Sequence, residues 1–233
     1  MDIQQRLPVA YGPAKILPRS NSNGPGTRRV TGSADIPLTP KGNKQAGGMA
    51  DKLSHEFDYV FCSPEQRSID TAEKFGKPII LNGLDAWYRG SFEGHSAEKT
   101  KPAMKSLILH PTMKPPGKSP ISGKPGEPYA EFLKDLTHVA RTAKEQWRPG
   151  TRELFVTSGG NLEAINVLAS SGFPKDPTPG EYKKLSANPY LSMVGQLFME
   201  TPDGLKKVSD NKEPARYWLE HGETQFNNAP SKS

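Results

Sequence analysis

Residues 58–76 read DYVFCSPEQRSIDTAEKFG, and this stretch decides the fold. Tyr59 to Cys62 form a short aromatic and apolar run, the composition of a buried strand. A Ser-Pro pair then ends it. Pro64 has no N–H to give a sheet, and its fixed φ suits the first position of a helix. Ser63 and Gln66 stand at capping-box spacing, and Gly76 can close the helix. The stretch is therefore expected to run strand, loop, helix, with Arg67 in the first helical turn.

The same alternation continues on both sides. Upstream, PLTPKGNKQAGGMADKLSHEF (37–57) has Thr39 as an N-cap and Pro40 as first helical residue. Ala46, Met49, Ala50, Leu53 and Phe57 recur at helical spacing. Downstream, PIIL (78–81) is a strand candidate, and residues 82–127 are irregular apart from one short helix near 97–108. EPYAEFLKDLTHVARTAKEQW (127–147) is an amphipathic helix with Phe132, Leu136, Val139, Ala140, Ala143 and Trp147 on one face. ELFVT (153–157) is a strand, GGNLEAINVLASSG (159–172) a helix, LSMVGQLFMET (191–201) a longer strand and ARYWLE (215–220) a last strand. Alternating strands and helices predict an α/β fold: a three-layer sandwich whose central, mostly parallel sheet carries helices on both faces. Residues 1–30, rich in Pro, Gly, Ser and Asn, read as an arm or long loop; 31–227 read as one domain and 228–233 as a short tail.

Composition narrows the function classes. The chain has 233 residues and a net charge of +6, and its mean hydropathy is −0.68. It has no apolar run near membrane-spanning length and no apolar leader at the N-terminus, so no membrane partner is expected. The single cysteine, Cys62, cannot form an intrachain disulfide, which fits a reducing compartment: a non-secreted, cytoplasmic-type or virion-associated protein. The positive charge favours anionic partners. Lys99, Lys101, Lys105, Lys114, Lys118 and Lys124 are spread among prolines and glycines with few aromatics. That pattern suits a solvated flap, or one that steers an anionic substrate, better than a nucleic-acid surface.

In open parallel sheets, sites gather beyond the carboxyl ends of the strands. Three segments have that form: CSPEQR (62–67), TSGGN (157–161) and EHGET (220–224). A fourth polar loop, YRGSFEGH (88–95), follows PIIL at a distance.

These segments carry a resemblance. EHGETQFN resembles the Arg-His-Gly-Glu-Thr…Asn motif of the histidine phosphatase (phosphoglycerate mutase-like) superfamily. GSADIPLTPKGNKQA (32–46) resembles the element that normally follows it, and SPEQRSIDTAE resembles its Ser-Pro-x-x-Arg-(Ala/Ser)-x-x-Thr-Ala. LDAWYRGSFEG and ISGKPGEPYAEFL resemble the loop and pre-helix stretches of that family, and ELFVTSGGNLEAI stands where it has Val-Thr-His. In the family the His-Gly-Glu-Thr strand opens the chain; here it closes it, while the other elements keep their order. The resemblance therefore implies a circular permutation, with 215–220 in the middle of the sheet beside 58–62.

By the same resemblance, His221 is the nucleophile of a phosphomonoester hydrolysis that passes through a phosphohistidine. A neutral imidazole held in one tautomer is a good nucleophile. Arg67 clamps the phosphate with its planar fork, aided by the N-terminus of its helix. Ser158, Arg28 and Arg29 are further phosphate-binding candidates, and Glu93 and Asp85 are candidate acids. No cofactor or metal is implied, and the five histidines show no metal-ligand spacing. The expected partner is a phosphorylated small molecule or a phosphoprotein.

Departures from the motifs weaken the catalytic reading. Glu220 replaces the arginine before the histidine, Ser158 stands at the second histidine, and Ala86 aligns near the usual acid. Activity is expected to be weak or lost. The alternative is a non-catalytic structural or interaction protein, such as a phage virion component contacting neighbouring subunits. His95 reads either as a substitute for the second histidine or as a surface loop residue. Cys62 with Arg67 is one residue short of a cysteine phosphatase loop, and a buried strand-end thiol is the better reading. Trp87 and Tyr88 read as core or pocket wall.

Overall fold

The computed structural model describes residues 5–6, 29–38, 40–53, 57–146, 153–169, 177–187, 197–201 and 204–209. In chain order its elements are β1 (Gln5–Arg6), α1 (Pro40–Leu53), β2 (Tyr59–Cys62), α2 (Gln66–Ala72) and β3 (Ile79–Ile80). A 3-10 turn (Gly90–Phe92) precedes α3 (Ala97–Leu109), α4 (Tyr129–Gln146), β4 (Glu153–Val156), α5 (Gly159–Ala169), α6 (Pro179–Ala187), β5 (Leu197–Thr201) and β6 (Gly204–Ser209).

β2 is the middle strand of a parallel sheet ordered β3-β2-β4, with Phe61 opposite Ile79 and Phe155. Side chains alternate along it as strand geometry requires. Val60 and Cys62 are buried, as are Leu154 and Val156 of β4, and they join a core with Met104 of α3 and Leu133 and Leu136 of α4. On the other face Phe61 stacks on Phe155 at 5.0 Å. α4 buries Phe132, Leu136 and Val139 of the face expected of it, and Leu133 besides; the side chains of Ala140 and Ala143 lie outside those described. Trp87 packs edge-on against Tyr129 (4.7 Å) and donates its indole N–H to the Glu127 carbonyl (2.9 Å). Its role as core wall is thus met, with the polar end of the ring satisfied.

The structure corrects several expectations. α2 begins at Gln66, not Pro64, and has no side-chain cap of its own. Its first N–H is instead given to Asp35 Oδ1 at 2.7 Å, a cap supplied from 31 residues away. The Ser63 hydroxyl is buried and makes no such bond. Within the stretch read as an arm or long loop, residues 5–6 form β1, which pairs antiparallel with β5. β5 pairs in turn with β6, an unexpected strand, to give a second sheet ordered β1-β5-β6. α6 was also unexpected. It starts at a capping box in which the Thr178 N–H donates to Glu181 Oε2 (2.6 Å) and the Glu181 N–H to Thr178 Oγ1 (3.4 Å). Finally, β2 is hydrogen-bonded on both sides, so the place foreseen beside it for 215–220 is occupied by β3 and β4. Residues 215–220, Thr39 and Trp147 lie outside the described residues.

Candidate active site

The parallel register delivers three loops to one edge. Beyond Cys62 the Ser63 N–H donates to the Val156 carbonyl (2.9 Å), and the Leu81 N–H donates to the Cys62 carbonyl (2.8 Å). Side chains then stitch the loops together. Thr157 Oγ1 donates to the Leu84 carbonyl (3.0 Å). Asn161 Nδ2 donates to the carbonyls of Leu84 (2.7 Å) and Asp85 (3.1 Å). The Ala86 N–H donates to Glu65 Oε1 (2.6 Å). With Asp35 capping α2, segments 32–35, 63–67, 84–94 and 157–161 meet at the carboxyl edge of the sheet.

Arg67 lies in this junction and is only 5% exposed. Its Nη1 donates to the Ala34 carbonyl (2.7 Å) and its Nη2 to the Gly32 carbonyl (3.2 Å). Glu65 Oε1 is 3.6 Å from Nη2, a buried ion pair. The guanidinium is thus held by three groups, while its fork keeps further N–H donors. The expected help from the α2 N-terminus is reduced, because its leading N–H is already given to Asp35.

Ser158, half-buried at the start of α5, donates its hydroxyl to Asn161 Oδ1 (2.9 Å). A Cβ placed on Gly160 would lie 3.6 Å from Arg89 Nη2 and 3.8 Å from Ser158 Oγ, which puts the Arg89 guanidinium beside Ser158. That guanidinium also lies 5.5 Å from the Trp87 ring centroid. Sequence reasoning missed Arg89. Its signal was a cation in the fourth polar loop, next to two aromatic residues.

The two candidate acids differ. Glu93 is fully buried. Its Oε1 accepts from the N–H groups of Ser33 (2.8 Å) and Arg89 (3.1 Å), and its Oε2 from Ser33 Oγ (3.0 Å). This carboxylate clamps loop 31–35 onto loop 88–94. Gly32, at φ 50°, fits only because it lacks a side chain: a Cβ there would run into the Glu93 carboxylate. Asp85 is half-buried, accepting from the Gly83 N–H (3.0 Å) and the Tyr88 hydroxyl (3.1 Å). Lys124 donates to the same hydroxyl (3.2 Å) and lies 4.5 Å from the Tyr88 ring centroid. Burial and then the charge of Asp85 push the Tyr88 phenol well above its ordinary range.

Arg29 donates to the Gly94 carbonyl (2.6 Å) and pairs with Ser96. His95 is exposed, with Nδ1 3.3 Å from the Glu93 carbonyl. Burial pushes the Cys62 thiol up to about 11, with Glu65 and Glu73 adding to the rise. Burial also raises the Glu127 carboxyl to about 7, against the N–H it accepts from Tyr88. Arg28, Glu220 and His221 lie outside the described residues. Among the described residues no cluster of His, Cys, Asp and Glu is arranged to hold a metal ion, and no helix is long and apolar enough to cross a membrane.

Residues 21–180 match the family model of the histidine phosphatase superfamily, branch 1. The chain belongs to this superfamily. An acid phosphatase of Mycobacterium tuberculosis is 35% identical over 71 residues, covering 28% of this chain and 35% of the relative's length. The alignment therefore spans about a third of that relative. The solved product of an open reading frame of M. tuberculosis has a TM-score of 0.57 at 20% identity, over 78% of this chain and 87% of that one. A mycobacterial glucosyl-3-phosphoglycerate phosphatase gives 0.58 at 16% identity, over 89% and 97%. A phosphoserine phosphatase of Entamoeba histolytica gives 0.56 at 20%, over 78% and 87%. These likenesses establish that this histidine phosphatase superfamily member has the phosphoglycerate mutase-like α/β fold, with its parallel sheet and helices.

Proposed function

We propose that the chain hydrolyses a phosphate monoester where segments 32–35, 63–67, 84–94 and 157–161 meet. The observation that carries this reading is the buried Arg67, oriented by the carbonyls of Gly32 and Ala34 at the carboxyl edge of a parallel sheet. In this reading Arg67 clamps the phosphoryl oxygens, with Arg89 and Ser158 on the neighbouring rim. His221 attacks phosphorus from a permuted C-terminal segment. Asp85 protonates the leaving oxygen. Glu93, fully buried, holds the loops together, whereas Asp85 is half-buried. Arg29 serves the same loop junction, and Arg28 reaches the phosphate from it. Glu220 and Ser158 thin the cationic cradle, and each lost donor costs on the order of a hundredfold in rate. The expected result is slow release of p-nitrophenol from p-nitrophenyl phosphate, abolished by His221→Ala and by Arg67→Ala. Turnover that survives His221→Ala would remove the phosphohistidine from the mechanism.

A second reading draws support from the family match. It begins at residue 21 and enters the 31–39 element in ordinary order. A family member in that order would carry Arg-His just upstream, where this chain has Arg19-Ser20. Serines would then stand at both histidine positions, Ser20 and Ser158. The fold would bind a phosphorylated partner without turning it over. Phosphate binding that needs Arg67, with no hydrolysis and no effect of His221→Ala on binding, would favour this reading.

A further inference from the structure

Glu65 is the least expected group in the junction. It follows Pro64 in the turn between β2 and α2 and is 6% exposed. Its Oε1 is fully engaged: it accepts from the Ala86 N–H at 2.6 Å and faces Arg67 Nη2 at 3.6 Å. Its Oε2 is buried and has no hydrogen-bond partner among the described residues. A buried carboxylate oxygen left without a donor is costly, and such oxygens concentrate where a proton or ligand completes them.

The neighbourhood makes the carboxylate sensitive to any anion at Arg67. The guanidinium of Arg67, on α2, faces Glu65 at 3.6 Å. Among the described residues, Cys62 at the end of β2 and Tyr88 in the 84–94 loop also interact with it, both neutral and both pushed further from ionisation by its charge. Arg67 is the one cation these contacts place against it. A phosphate bound to Arg67 draws on that same charge and sets a second anion beside Glu65. Like charges brought together in a buried site favour the protonated form of the carboxyl.

We infer that anion binding at Arg67 is coupled to uptake of a proton by Glu65 Oε2, so that the chain takes phosphate and a proton together. The inference rests on the reading of Arg67 as a phosphate clamp given above. Uptake needs only a solvent proton and leaves a neutral carboxyl, able to donate, next to the bound phosphoryl group. Affinity for phosphate then rises as the solution becomes more acid, beyond the change due to the ionisation of phosphate itself.

The test is calorimetric titration of the full chain with inorganic phosphate near pH 7, in buffers of low and high ionisation enthalpy. The dependence of heat on buffer counts the protons taken up. The wild type is expected to take up more protons on binding than Glu65→Gln, which keeps an acceptor for the Ala86 N–H but cannot ionise. Sulfate, which has no ionisation near pH 7, is titrated in parallel, so that a proton taken up by the ligand is told apart from one taken up by Glu65. Equal proton counts would overturn the inference and leave Glu65 as a structural partner of Arg67. Should Glu65→Gln not fold, the wild-type count is compared with that due to phosphate alone, and no excess overturns it equally. If wild type and Arg67→Ala both fail to bind phosphate, the clamp reading itself falls, and the inference with it.

Discussion

Replacing Glu93 by alanine tests the loop junction directly. The carboxylate is fully buried, and one oxygen, Oε1, accepts from two backbone donors: the Ser33 N–H at 2.8 Å and the Arg89 N–H at 3.1 Å. Alanine leaves both donors buried without an acceptor, at about 1–3 kcal/mol each. The Ser33 hydroxyl keeps a partner in Ser122 Oγ at 2.8 Å, so it adds little. Removing a buried charge recovers some desolvation energy, and the loops relax in part. A net loss of about 3 kcal/mol is expected, a large share of the roughly 5–15 kcal/mol that holds a domain together. Glu93→Gln is the control. Its amide oxygen can occupy the Oε1 position and keep both backbone donors, and its NH2 can donate to the hydroxyls of Ser33 and Ser122, so it should cost about 1 kcal/mol or less. Urea unfolding followed by tryptophan fluorescence gives both values from midpoint and slope. A loss below about 1 kcal/mol for alanine, or equal losses for the two variants, would refute the clamp.

Three further outcomes follow from the same geometry. Gly32→Ala should destabilise the fold by about 2 kcal/mol or more in the same urea assay, because a left-handed backbone and a carboxylate in the path of the Cβ act together; it should also weaken phosphate binding, since Gly32 supplies a carbonyl to Arg67. Glu127 is raised by burial to about 7, so the folded state holds a proton that the unfolded chain releases near its ordinary value; stability should fall as pH rises from about 4.5 to about 7, and Glu127→Gln should flatten that slope in thermal melts. Cys62 is buried with its thiol near 11, so iodoacetamide should leave the native protein unlabelled at pH 8 and modify it in urea; rapid native labelling would contradict its burial.

Local chemistry made much of the fold readable. β2, β4, α4 and α5 declare themselves because their apolar spacing needs no knowledge of neighbours. α6 was equally readable, since Thr178-Pro179-Gly180-Glu181 spells a capping box. Other features had no local trace. The cap of α2 comes from Asp35, 31 residues away. No spacing rule foretells that β3 and β4 take both sides of β2.

The site divides along the same line. That loops after β2 and β4 would meet follows from parallel strands alone, because parallel register brings their carboxyl ends to one edge. Arg67 was readable for that reason: its place in the first turn after β2 puts it at that edge whatever the rest of the chain does. The partners of the acidic residues were not. Glu65, Asp85 and Glu93 look alike in sequence, each a carboxylate in a polar turn. What separates them is the donors supplied by segments tens of residues away: the Ala86 N–H for Glu65, the Tyr88 hydroxyl for Asp85, the Ser33 N–H for Glu93. A carboxylate whose oxygens are filled with backbone donors becomes a structural clamp, and one left with an unbonded buried oxygen beside an arginine becomes a place for a proton. Residue type selects the candidates for chemistry, and the long-range pairing of loops assigns their roles.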